Sequence, residues 1–156
     1  MRTFLSKIFF ILLFQLLFSC NSEDQPLSIG YWNVENLFDT VDDPEINDDE
    51  FSIGGKKNVT KDIYQLKLTH TAEVLMDLNA DVVGLSEVEN AFVLQDLLNN
   101  YMEREYSYIH YDSPDERGID NALIYDKDRF KIITSRPIKN PLLNNDRTRD
   151  ILLVMG

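Results

Sequence analysis

Two apolar segments of this chain each end in polar side chains, and this pattern constrains the fold more than any other feature. The first segment covers residues 27–34, with Asn33 near its end and Glu35 directly after it. The second covers residues 81–86 and is followed by Glu87. An ionised carboxylate at the end of a buried strand needs partners or a metal ion to offset its lost hydration. The two segment ends, brought together, therefore predict an oxygen-ligand site for a hard cation such as Mg²⁺.

Two amphipathic helices are predicted. The first covers residues 60–78, with Thr60 as its N-cap. The second covers residues 91–99, with Asn90 as its N-cap. In the first helix, three- and four-residue steps define an apolar face that carries Ile63, Leu66, His70, Val74 and Leu78. We therefore expect His70 to be packed in the core.

Strands are predicted from alternating or continuous apolar runs bounded by turn residues. They cover residues 27–34, 81–86, 106–111, 121–125, 130–134 and 149–155. The short turn at residues 126–128 predicts that the strands on either side of it pair as a hairpin. The resulting order is β, α, β, α and then several strands, which predicts one α+β domain over residues 27–156.

The amino terminus has the pattern of a bacterial lipoprotein signal. Residues 1–19 combine a basic start with an apolar run that is short for a membrane span. They precede Cys20, the only cysteine of the chain. The segment around Cys20 resembles a lipobox, in which the cysteine is lipidated and becomes the new amino terminus. Residues 20–26 then form a polar tether. The expected location is the cell envelope, on the outer membrane or cell surface; an uncleaved N-terminal anchor is the alternative.

The chain is acidic, with a formal net charge of −12. This argues against tight non-specific binding to duplex nucleic acid, which requires lysines and arginines to neutralise phosphates. Much of the charge lies in residues 39–50, within a long loop predicted over residues 36–57. A loop of this length in a compact domain is usually functional or disordered. This loop lacks EF-hand spacing, but a less regular Ca²⁺ site there remains an alternative.

Four segments in order resemble motifs of the endonuclease/exonuclease/phosphatase superfamily, which has the DNase-I-like fold. They are residues 32–38 (Trp-Asn-Val-Glu-Asn-Leu-Phe), 85–90 (Leu-Ser-Glu-Val-Glu-Asn), 115–125 (which includes Arg-Gly-Ile-Asp) and 147–152. The resemblance implies a four-layer α/β/β/α sandwich, of which this chain supplies about the first half. It also implies Mg²⁺ as the cofactor, with Mn²⁺ or Ca²⁺ as substitutes, and a phosphate ester as the substrate.

The resemblance also implies roles for individual residues. Glu87 is then the direct metal ligand; the alternative is a carboxylate that stabilises a helix N-terminus. Asn33 orients a metal-bound water or the substrate phosphate, or else forms a strand-end turn. Glu35 lies near the metal and points the same way as Asn33 if the strand persists.

Arg117 is the expected phosphate contact, because a guanidinium matches phosphate oxygens in a bidentate manner. The alternative is an ion pair with Asp115, Glu116 or Asp120. Tyr111 lies where the family often has an active-site tyrosine or another polar residue. Asp120 is an alternative anchor for the turn, through backbone N–H groups.

The later superfamily motifs, an Asp/Asn pair and an Asp-His pair that position and activate water, are not found in these 156 residues. We therefore expect the N-terminal part of a metal-dependent nuclease or phosphatase that has little activity by itself. The competing interpretations are a non-catalytic lipid-anchored binding module and an acidic Ca²⁺-binding lipoprotein.

Overall fold

The computed structural model describes residues 25–140 and 147–156; the predicted signal peptide and Cys20 lie outside the described residues. The prediction of an α+β fold is confirmed. The elements, in chain order, are β1 (Ile29–Leu37), α1 (Lys61–Leu78), β2 (Val82–Val88), α2 (Ala91–Asn100), β3 (Ser107–His110), β4 (Asp120–Tyr125), β5 (Thr134–Ile138) and β6 (Ile151–Met155). Within the described residues, no helix has the length and apolarity needed to cross a membrane.

The main sheet has four strands in the order β1-β2-β4-β3. β1 and β2 are parallel, and α1 forms the connection that a parallel pair requires. β4 runs antiparallel to both β2 and β3. This arrangement brings the C-terminal ends of β1, β2 and β3 and the start of β4 to the same end of the sheet.

The core lies between this sheet and the two helices. Both predicted N-caps are confirmed, because Thr60 Oγ1 accepts a hydrogen bond from the backbone N–H of Ile63 and Asn90 Oδ1 accepts one from Val93. Side chains from the helices and the inner strands form one buried apolar cluster that includes Leu68, Ala72, Leu75, Val83, Leu85, Val93, Leu94, Leu97, Ala122 and Ile124. The helices therefore cover one face of the sheet.

The predicted buried face of α1 is wrong. The apolar residues expected to face the core, Ile63, Leu66, Val74 and Leu78, are each 42–54% exposed, and His70 is exposed. The face that packs on the sheet instead carries Leu68, Thr71, Ala72 and Leu75. Apolar residues lie on more than one side of this helix, so periodicity alone did not identify the buried side.

The predicted hairpin between residues 121–125 and 130–134 is also wrong. β4 already has β2 and β3 on its two sides, so no edge is left for a further partner. The chain continues to β5, which pairs with β6 in a separate two-stranded antiparallel sheet. Asn121 Nδ2 donates to the backbone oxygen of Asp150 at 2.7 Å, which ties the start of β6 to β4.

The sheet face opposite the helices carries a tyrosine that crosses to the next strand. Tyr31 on β1 is 72% exposed, and its hydroxyl lies 2.9 Å from Ser86 Oγ on β2. A Cβ atom on Gly84 would approach the Tyr31 ring to 3.2 Å, closer than ordinary van der Waals contact. Glycine at position 84 therefore lets the tyrosine ring lie against the strand.

Candidate active site

The two strand ends singled out in the sequence lie side by side, and both have left-handed backbone. The φ angles are 54° at Glu35, 61° at Asn36 and 68° at Glu87. The β1–β2 pairing is irregular between Asn33 and Leu37, and the β2–β4 pairing shifts between Ser86 and Val88. Such irregularities redirect side chains at sheet edges. Left-handed backbone costs about 1–2 kcal/mol per residue that carries a Cβ, so the surrounding contacts must hold it in place.

Lys67 of α1 supplies part of that support. Its ammonium donates to the backbone oxygens of Val34, at 2.8 Å, and Glu35, at 3.1 Å. Burial lowers the pKa of Lys67, while the charges of Glu35 and Glu87 act in the opposite direction. The helix therefore places a cation beneath the bulge of β1, close to both carboxylates.

Glu87 lies within β2, before its last residue, whereas the sequence pattern placed it just beyond the strand. Its side chain is 17% exposed. Oε2 accepts a hydrogen bond from the backbone N–H of Asn36 at 3.1 Å, and Oε1 lies 3.6 Å from Arg149 Nη1. The carboxylate thus spans the two strand ends and keeps one oxygen turned toward an arginine.

The structure places Asn33 and Glu35 beside Glu87 but modifies the expected geometry. Asn33 Oδ1 accepts a hydrogen bond from the Glu35 N–H at 2.8 Å, which is the strand-end turn considered as its alternative role. The left-handed conformation of Glu35 breaks the extended geometry from which a shared direction with Asn33 was expected. Both side chains belong to exposed residues at the bulge.

Arg117 is half-exposed and forms an ion pair with Asp115, as the alternative interpretation had it. Nε and Nη2 each lie 3.1 Å from a different carboxylate oxygen of Asp115. Hydrogen bonding to Asp115 raises the pKa of Arg117, and the charge of Glu87 adds to this. Arg117 also lines a cavity of about 620 Å³ together with Asn36, Phe38, Asn47, Asp49, Glu50, Phe51, Gly55, Lys56 and Lys57. The guanidinium is thus held in place beside an open polar cavity.

Tyr111 follows β3 and contacts β5. Its hydroxyl lies 2.8 Å from Ser135 Oγ and 3.2 Å from the backbone oxygen of Ser135. Asp120 Oδ1 accepts the backbone N–H of Ser113 at 2.9 Å, which confirms its expected role in the turn.

Two cations of the site were not assigned from the sequence. Arg149 lay in the fourth motif, but nothing in its spacing indicated a contact with Glu87. Lys67 looked like an ordinary polar residue of an amphipathic helix. Only the topology, which packs α1 beneath β1 and brings β6 next to β4, places both near the carboxylates.

The residues at the bulges suit a hard divalent cation. Mg²⁺ takes one or two protein carboxylates and completes its octahedron with water and phosphate oxygens. Glu87 provides a carboxylate with limited exposure, and the exposed Glu35 provides a second carboxylate near the same lysine. Lys67, Arg117 and Arg149 surround this acid with positive charge that can accept a phosphate group.

Comparison with known proteins gives one family. The sequence model of the endonuclease/exonuclease/phosphatase family matches residues 28–156. Comparison with curated proteins and with solved structures gave no match. The match covers both left-handed strand ends, the Arg117 turn and the strand that follows Arg149. The chain therefore belongs to the endonuclease/exonuclease/phosphatase family, which indicates a metal-dependent nuclease or phosphatase.

Proposed function

We propose that this chain forms the metal-binding and phosphate-binding wall of a Mg²⁺-dependent phosphoesterase that hydrolyses phosphodiester or phosphomonoester bonds. The observation that carries the proposal is Glu87, held in left-handed backbone with its carboxylate among Lys67, Arg117 and Arg149. Strained backbone of this kind concentrates at functional sites.

Each residue then has a defined task. Glu87 would hold the metal ion, and Glu35 would contribute a second carboxylate. A metal ion held there would supply Lewis-acid polarisation of the phosphoryl group, which favours in-line attack by water. Arg117 binds the phosphate, while Asn33 and Tyr111 provide polar contacts to the substrate. Asp115 orients the Arg117 guanidinium before the substrate arrives, so less side-chain entropy is lost on binding.

Replacement of Glu87 tests the metal site. We expect Glu87→Gln to weaken Mn²⁺ binding, measured by electron paramagnetic resonance, by roughly ten-fold or more, because an amide lacks the charge that offsets dehydration of the ion. The matched control is Glu103→Gln, which changes an exposed carboxylate outside this site. Equal Mn²⁺ affinity in the two variants would contradict the proposal.

A hydrolysis assay tests whether the chain is also catalytically active. The water-activating segments implied by the resemblance are not found in this sequence, so we expect the chain alone to hydrolyse a nitrophenyl phosphodiester only slowly with Mg²⁺. Fast hydrolysis that Glu87→Ala abolishes would overturn that expectation while supporting the metal site.

Calcium binding that disappears when residues 39–50 are neutralised and survives Glu87→Gln would favour the acidic Ca²⁺-binding alternative. Cooperative folding without metal binding or turnover would favour the binding module.

We also propose that residues 1–19 are a signal peptide, that Cys20 is lipidated and that residues 20–26 tether the domain of residues 27–156 to the bacterial cell envelope. The support is the lipobox-like sequence before the only cysteine. Metabolic labelling with an alkynyl fatty acid should mark the wild-type chain and not the Cys20→Ser variant. Equal labelling of the two would show that the lipid is attached elsewhere or not at all.

A further inference from the structure

A buried histidine faces a buried aspartate at the same end of the main sheet. His110 is the last residue of β3, and its side chain is 3% exposed; Asp120 begins β4, and its side chain is 4% exposed. Nε2 of His110 lies 3.1 Å from Oδ2 of Asp120. The approach lacks hydrogen-bond geometry, however, and Nε2 is buried with no hydrogen-bond partner among the described residues. A buried polar atom in this situation calls for an explanation.

The aspartate is oriented by the turn that precedes it. Its Oδ1 accepts hydrogen bonds from both the backbone N–H and the hydroxyl of Ser113. Oδ2 is thereby turned toward the imidazole of His110. Two potential ligand atoms, a nitrogen and an oxygen, are thus held in place by separate strands of the sheet.

Asp112 supplies a third group. Its side chain is 94% exposed, and its Oδ1 lies 3.8 Å from Nδ1 of His110. One ligand atom each from His110, Asp112 and Asp120 can be chosen so that all three lie within 4.8 Å of one another. Both aspartates line an open cavity of about 540 Å³, whose lining also includes the acidic residues Asp39, Asp42, Asp43 and Glu45. A cation therefore has an entry path through a region of negative potential.

We propose that His110, Asp112 and Asp120 form a Zn²⁺ site separate from the Glu87 site. An imidazole with two carboxylates suits zinc better than magnesium, which prefers oxygen ligands alone. Two ligands at zinc distances around a tetrahedral ion lie roughly 3.3 Å apart, and the Nε2–Oδ2 distance of 3.1 Å is close to this value. Asp112 Oδ1 lies beside Nδ1 rather than Nε2, so its 94% exposed side chain has to turn toward the Nε2 side to complete a set of three protein ligands, with a position left open for water. This proposal does not depend on the phosphoesterase proposal.

The experiment is a zinc titration of the chelator-stripped full chain carrying Cys20→Ser, so that the thiol cannot act as a ligand. With Mg²⁺ in excess, so that the proposed Glu87 site is already occupied, calorimetry and elemental analysis should give one Zn²⁺ per chain. Asp112→Asn should weaken binding by roughly ten-fold or more, and this exposed position leaves the fold intact. His110→Gln should remove binding. The exposed Asp128→Asn is the control that should bind as the parent does. Glu87→Gln identifies which of the two sites holds the zinc, because uptake by the His110 site should persist in it.

Cobalt substitution gives a second measurement. Co²⁺ in the site should produce visible absorption bands that disappear in Asp112→Asn and persist in Glu87→Gln. No zinc uptake by the parent chain, or uptake unchanged in both Asp112→Asn and His110→Gln, would overturn the proposal and leave a buried imidazole–carboxylate pair. Loss of zinc binding in Glu87→Gln would also overturn it, because the ion would then belong to the other site.

Discussion

Glu87 occupies a backbone conformation that is costly for any residue with a Cβ atom, near the end of an inner strand of the sheet. Glycine would adopt the same φ of 68° without the steric penalty. Glycine would relieve the strain but has no carboxylate, so the strained glutamate indicates a role for the side chain at this position. The apolar segment that is followed by Glu87 in the sequence thus ends in strained backbone in the structure.

A comparison of two variants isolates this strain. Glu87→Gly and Glu87→Ala both remove the carboxylate, so both should lose metal binding equally. In a regular strand the alanine variant is more stable, by about 0.5–1 kcal/mol. With left-handed backbone the order should reverse, and Glu87→Gly should be the more stable by about 1 kcal/mol in urea unfolding. A more stable alanine variant would show that φ at this position is not held positive in solution.

At the scale of secondary structure, the start of the parallel pair β1–β2 depends on one carboxylate. Asp81, directly before β2, accepts hydrogen bonds from the N–H and hydroxyl of Ser28 before β1, both at 2.9 Å. It also binds Arg104 at 2.7 Å and Arg129 at 3.4 Å. The backbone hydrogen bond from Ser28 lowers the pKa of Asp81, and the hydrogen bond from Arg104 adds to this. One side chain thus connects both strand starts to two later segments.

We expect Asp81→Asn to lower the free energy of unfolding by about 2 kcal/mol at neutral pH, since charged hydrogen bonds are lost while the partly exposed arginines can rehydrate. Because the folded-state pKa is lowered, this stabilisation is present above the unfolded pKa of about 4 and is lost as the pH falls below it. Asp77→Asn, at an exposed helix position, should change stability by less than about 0.5 kcal/mol. Denaturant unfolding of both variants tests this, and equal stability would contradict it.

The sequence predicted the order of elements and both helix caps because these depend on neighbouring residues. The predictions from sequence were wrong where the outcome depends on which distant segments pack or pair with one another. The buried side of α1 depends on which face meets the sheet, and the partners of β4 depend on strands far away in the chain. Among the candidate site residues, the strand-end pattern and the family resemblance predicted Glu87 and Arg117, whereas Lys67 and Arg149 lie near Glu87 only through tertiary packing. The left-handed φ angles of Glu35 and Glu87 had no signal in residue type, because glutamate does not favour that conformation.

At the scale of the whole molecule, the acidic loop after β1 is anchored by buried acids. Asp39, Asp48 and Glu89 are each at most 9% exposed. Burial raises the pKa of Glu89 to about 8; the charges of Asp39 and Asp48 also raise it, while the hydrogen bond from the Asp39 N–H opposes the shift. Since an unfolded glutamate titrates near pH 4, the folded chain retains a proton that the unfolded chain has lost over the interval between.

The contribution of Glu89 to stability should therefore fall as the pH rises from about 4 to about 8, because at this residue the unfolded state binds fewer protons than the folded state there. Glu89→Gln removes this titration and should flatten the fall, with the largest gain over the parent near pH 8. Thermal unfolding at several pH values tests this, with Glu103→Gln as the control that should keep the slope of the parent. An unchanged slope in Glu89→Gln would mean that Glu89 is already ionised in the folded chain.

The tyrosine that lies across Gly84 has a consequence for how related sequences can differ. A Cβ atom at position 84 would lie 3.2 Å from the Tyr31 ring, so the ring would have to shift, and the hydrogen bond from the Tyr31 hydroxyl to Ser86 would be disturbed. Positions 31, 84 and 86 should therefore change together during evolution. Relatives with a residue larger than glycine at position 84 should carry a tyrosine at position 31 and a hydroxyl at position 86 less often than relatives with glycine there.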